Sequence, residues 1–103
     1  MKHVLLSADG PVCICAVPDK VAEDLPEWAD RFRSWMETAP EAARFRHVFP
    51  GGEVGLAFNE QDFIVWLAEV AFPEQPASVV EELGFMNPRS AAEPVRSMEW
   101  YNF

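Results

Sequence analysis

The segment Val12-Cys13-Ile14-Cys15-Ala16-Val17 constrains the fold most, because it is apolar at every position. Side chains alternate between the two faces of a strand, so a strand without a polar face needs cover on both sides or burial against helices. The rest of the chain has to supply that cover. Just upstream, residues 3–8 place Val4, Leu6 and Ala8 on one face, and Asp9-Gly10-Pro11 separates the two segments. Gly accepts a positive φ and Pro fixes its own, which is turn chemistry. Residues 3–17 therefore read as a β-hairpin.

Downstream, the period changes from two to about 3.6. Val21, Leu25, Trp28, Phe32, Trp35 and Met36 recur at steps of three and four, with charges between them. That is an amphipathic helix with an aromatic stripe. Pro26 cannot sit deep in it, since proline removes a hydrogen bond and clashes with the preceding turn. Asp24 and Glu27 form a D-x-x-E capping pattern around Pro26, so the spacing predicts a helical turn at 19–23, a restart, and a helix to about residue 38. A short helix from Glu41 to Arg46 and a loop at Pro50-Gly51-Gly52 are expected next. Val54 to Phe58 reads as a third strand whose small residues, Gly55 and Ala57, permit close approach. Asn59 followed by Glu60 and Asp62 marks a helix start. The helix it opens, Phe63 to Phe72, is apolar nearly all round, so it is buried on most sides or offers a face to a partner. Pro76 to Leu83 reads as another short helix with Gly84 as its stop. The pattern fades beyond it, until Met98 to Phe103 returns as an aromatic-rich terminal strand.

The fold class expected is α+β in one domain, 1–103: an N-terminal hairpin and one or two further strands on two main helices and shorter helical segments. Phe32, Trp35, Ile64, Leu67 and Val70 are expected in the core. A chain of 103 residues leaves no room for a second core, and an apolar content of 50% excludes disorder. No window approaches the roughly 18 apolar residues of a membrane span. Val4-Leu5-Leu6 is too short for a signal-peptide core, so a soluble, cytoplasmic protein is expected.

Charge narrows the partners. The net charge is −9, which argues against direct contact with nucleic acid backbone or an anionic membrane surface. Between His47 and Pro88 there are seven acids and no Lys or Arg. The plain reading is a solvated face that keeps the chain dispersed; the functional one is a negative surface that docks a basic protein.

No catalytic signature is present: no G-x-S-x-G, H-E-x-x-H, G-x-x-x-x-G-K-[ST] or C-x-x-C. Cys13 and Cys15 share a strand face and would supply half a zinc site, with His3 and His47 as the other half. The plainer reading makes both cysteines small core residues. Among the four tryptophans, Trp66 lies off the Phe63/Leu67/Val70 stripe and is expected at an exposed surface.

Leu5-Leu6-Ser7-Ala8-Asp9-Gly10, Val17-Pro18-Asp19-Lys20-Val21-Ala22, Phe58 to Leu67 and the terminal Asn102-Phe103 carry a resemblance. Over its whole length the chain resembles a group of small, acidic bacterial proteins without an assigned activity. The resemblance implies no catalytic or binding residue.

Three functions follow as expectations. The first is a non-catalytic protein-interaction or regulatory module, with no cofactor and no metal. Its partner-binding residues would be Trp66, Glu69, Glu53, Glu81, Glu82 and Trp100, and a homodimer is open to it. The second is an inhibitor of the mobile-element or phage type, mimicking nucleic-acid charge on a basic partner as anti-CRISPR and anti-restriction proteins do. The third is a metal or thiol protein built on Cys13, Cys15 and a histidine.

Overall fold

A computed structural model describes residues 1–103. The fold is α+β, as expected. Strands β1 (Lys2–Ser7) and β2 (Val12–Val17) form the antiparallel hairpin. Asp9 supplies the positive φ at its turn, 55°, a conformation that Asp tolerates better than most residues. Helix α1 (Asp19–Glu23) stops at Asp24, and α2 (Leu25–Thr38) restarts there. The Asp24 carboxylate accepts from the Glu27 N–H at 3.3 Å. Pro26 thus falls in the first turn, where a missing N–H costs nothing.

A 3₁₀ segment, Pro40–Phe45, replaces the expected short α-helix. Just after it, Arg46 donates to the carbonyls of Met36 and Ala39 at 2.8 and 3.0 Å. The Met36 carbonyl belongs to the last turn of α2, whose carbonyls lack intrahelical partners, and the Ala39 carbonyl also accepts from the Ala42 N–H at 3.1 Å. Strands β3 (Arg46–Val48) and β4 (Val54–Leu56) pair as a separate two-stranded sheet. The close approach expected at Gly55 comes from the Phe49 ring, which occupies the space a Cβ would need.

Helix α3 (Glu60–Trp66) begins with a full capping box: Asn59 accepts from the Asp62 N–H at 3.0 Å, and Asp62 accepts from the Asn59 N–H at 2.9 Å. It then widens into a π turn, Leu67–Ala71. This corrects the expectation for Val70, which is 48% exposed rather than core. The π turn holds one residue more than an α turn. It therefore rotates Val70 outward and brings Ala71 and Phe72 against the core.

Pro76 to Leu83 is not a helix. It contains strand β5 (Ser78–Gly84), antiparallel to β2. Two physical reasons favour the strand. Val79 and Val80 are β-branched, which suits a pleated surface. A strand apolar on both faces is also a central one, and its backbone groups need partners on both edges. Strand β6 (Trp100–Asn102) pairs parallel to β1, giving the order β5-β2-β1-β6.

The four-stranded sheet is covered on both faces. On one face Val4, Leu6, Cys13, Cys15 and Val17 join the helices in a cluster of 17 buried residues centred on Phe32. The other face carries a second, smaller apolar cluster, so the expectation of a single core needs amending. Leu5, Val12 and Ile14 lie there under Leu83, Met86, Val95, Met98 and Trp100. The segment with no legible pattern, 85–99, is that second cover.

Candidate functional site

Strand β5 has β2 on one edge and no strand on the other. Two register shifts interrupt its ladder: Val12 faces Gly84 while Cys13 faces Glu82, and Ile14 faces Glu81 while Cys15 faces Val79. Leu83 and Val80 are the extra residues of these bulges. The consequence is that Glu82 shares the helix-covered face with Cys13, whereas Glu81 shares the opposite face with Ile14. Both acids are exposed, and so is Val80 beside them, at 50%. The Glu82 carboxylate accepts from Gln61 Nε2 at 2.8 Å, tying the strand to α3. The three ion pairs of the molecule lie elsewhere, leaving Glu81 and Glu82 without a cation.

The remaining residues expected at a partner surface do not converge on this edge. Glu69 is exposed in the π turn, and Glu53 is exposed in the loop of the second sheet. Trp66 is buried, at 7% exposure, against Phe32, Phe63 and Trp35; the expectation of an exposed indole is overturned. Helical phase explains it, because Trp66 lies on the same side as Phe63 when α2 and the terminal Phe103 close over both. Trp100 is half-buried, with its indole N–H donating to Ser7 Oγ at 3.0 Å. It belongs to a network in which Ser7 Oγ donates to Asn102 Oδ1 and Asn102 Nδ2 to Asp9 Oδ1, both at 2.8 Å. Its role is to hold β6 against the hairpin. The exposed large apolar residues are Met1; Val48, Phe49 and Val54 on the second hairpin; and Val65, Val70, Val80 and Phe85. Val48 and Val54 face each other across β3 and β4, and no periodicity in so short a hairpin marks them as exposed.

Cys13 and Cys15 share one face, as alternation requires, with their Sγ atoms 3.2 Å apart and both buried. The Cys13 thiol also lies 3.6 Å from the Leu6 carbonyl, to which it donates. Cys13 is held below the ordinary thiol value by a hydrogen bond from Cys15, against burial and the charges of Glu60 and Glu82. Cys15 is pushed far up by that same hydrogen bond and by burial. The pair thus gives up one proton and resists losing the second. Cys13, its side chain buried, borders a cleft of about 420 Å³ lined also by Glu60, Gln61 and Glu82. Glu60 is 7% exposed. Sequence reasoning counted Glu60 as one acid among seven; only the docking of α3 against β5 shows it to be buried beside a thiol.

Neither histidine joins the cysteines. His3 is exposed and sits on the opposite sheet face, since its neighbour Val4 is the residue that faces Cys15. His47 is exposed in the second sheet. No three His, Cys, Asp or Glu side chains come together as a metal-ligating group, so the Cys2His2 arrangement is not assembled.

Fold and site together define a class: an acidic α+β protein with an acid-bearing edge strand, β5, and a buried thiol pair. No family model, curated protein or solved structure matches the chain.

Proposed function

We propose that the chain is a non-catalytic interaction module that docks a basic protein partner along the free edge of β5. The observation that carries this is the pairing of an open backbone ladder with two exposed, cation-free acids, Glu81 and Glu82, on opposite faces of the same strand. An extended segment adding there gains main-chain hydrogen bonds, and Lys or Arg at two consecutive positions would meet one acid on each face. A second copy of this chain fits less well. Two such edges side by side would bring like charges together, which is destabilising. The narrower role of a nucleic-acid mimic gains no support from a row of carboxylates, because Glu69 and Glu53 lie on other elements. Two buried free thiols suit a reducing cytoplasmic setting.

The test is capture from host lysate at low salt, followed by elution in rising salt and direct binding with the purified partner. The double variant Glu81→Lys/Glu82→Lys is expected to weaken binding at least on the order of tenfold and to flatten its salt dependence. Glu53→Lys is expected to leave it unchanged. Equal binding by the double variant, or an empty bait, removes the docking function from β5.

A further inference from the structure

We propose that Cys13 and Cys15 form a dithiol clamp for trivalent arsenic, as arsenous acid or an organoarsenical. The proposal stands apart from the docking edge and rests on the spacing of the two sulfurs, the donor set and the burial around them.

Spacing comes first. The Sγ atoms are 3.2 Å apart. With bonds of about 2.3 Å, the length thiolates make to zinc, two sulfurs sit about 3.8 Å apart on a tetrahedral centre, about 4.6 Å on a linear one and about 3.3 Å at a right angle. The observed separation fits the narrow angle of a pyramidal trivalent centre. A direct disulfide fits poorly. Alternate residues of an extended strand have Cα atoms roughly 6.6 Å apart, near the upper limit of about 6.8 Å for a disulfide.

The donor set points the same way. No third ligand completes a metal site, and a trivalent arsenical needs only two thiols. Charge decides between the remaining ligands. A cation held by both sulfurs needs two buried thiolates beside Glu60 and Glu82. Burial and the first thiolate both oppose the second ionisation. Arsenous acid is uncharged near neutral pH and leaves no thiolate behind. Two As–O bonds break and two As–S bonds form; the two thiol protons leave with the displaced hydroxides as two waters. Arsenic stays trivalent throughout, so no oxidant or reductant is consumed. Cys13, the cysteine of the pair that borders the cleft, is the attacking sulfur. Cys15 closes the chelate.

The experiment uses the full chain, reduced and folded, with phenylarsine oxide as the probe. Intact mass, titration of free thiols and challenge with competitors are the readouts. One adduct per chain is expected, with both thiols consumed. It should survive excess glutathione, a monothiol, and be stripped by dimercaptopropanol, a dithiol. Cys13→Ala and Cys15→Ala are each expected to weaken retention about 100-fold, the low end of what a tethered second contact contributes. Should either variant fail to fold by circular dichroism, the ratio of two thiols lost per arsenic in the wild-type chain still decides. Absence of an adduct in native buffer overturns the clamp. So does an adduct that appears only in denaturant, consumes one thiol, or is retained equally by folded single variants.

Discussion

At the residue scale, strand alternation made the Cys13/Cys15 pair legible, because two residues one apart in a strand share a face whatever covers them. Trp66 was not legible for the opposite reason. In a helix that is apolar nearly all round, no stripe stands out, and only the closing of α2 and Phe103 over Phe63 decides which side is in. Burial of Trp66 makes a sharp expectation. Trp66→Ala should cost about 3–5 kcal/mol in urea unfolding, as truncation of a core aromatic does. Trp66→Phe should cost much less, because it also removes an indole N–H that has no acceptor. An alanine variant within about 0.5 kcal/mol of wild type would mean that the indole is exposed after all. The thiols make a second expectation, through pH. An unfolded thiol titrates near 8.5. In the folded chain Cys13 loses its proton below that value and Cys15 keeps its own well above it. As pH rises toward about 8.5, the folded state has released one proton more than the unfolded state, and stability rises slightly. Above about 8.5 the unfolded state has released both and the folded state one, so stability falls. Denaturation midpoints of the wild type should therefore drop above about pH 8.5 relative to Cys13→Ala/Cys15→Ala, which has no thiol to titrate.

At the element scale, the hairpin, the α1/α2 restart and the cap of α3 were all legible, because each is fixed by short-range chemistry: a turn triplet, Asp24 ahead of Pro26, and Asn59 with Asp62. Two elements were not. Residues 76–83 have helix-compatible punctuation, Pro before and Gly after, yet β2 needs a partner on its second edge and takes them as β5. The need arises at Val12–Val17, some sixty residues away, and local propensity does not report it. The π turn was equally hidden. Nothing in Leu67-Ala68-Glu69-Val70-Ala71 announces an extra residue in the turn; it follows from fitting both Leu67 and Phe72 against the same core. The phase it sets is testable residue by residue. Val70→Ser should lie within about 0.5 kcal/mol of wild type, while Leu67→Ala should cost about 2–5 kcal/mol. If Val70→Ser instead costs as much as Leu67→Ala in the same urea series, the helix continues as an α-helix and Val70 faces inward.

At the scale of the whole molecule, charge is the dominant long-range fact. The net charge is −9, only three ion pairs form, all at the surface, and Lys and Arg are missing from the whole stretch between His47 and Pro88. Exposed pairs contribute little, about 0–1 kcal/mol each, whereas unbalanced like charges repel one another across the surface and favour expansion. The two effects respond to salt in opposite directions. Screening weakens the few attractions and relieves the many repulsions. Raising ionic strength from about 0.01 M to about 1 M shrinks the screening length from about 30 Å to about 3 Å, which removes most interactions between exposed charges. With 17 acids against 8 bases, repulsion outweighs attraction, and the thermal midpoint should rise steadily with sodium chloride over that range. The rise should be smaller for Glu81→Gln/Glu82→Gln, because that change removes two exposed acids that have no cation. A midpoint that falls with salt would mean that the surface pairs outweigh the repulsion.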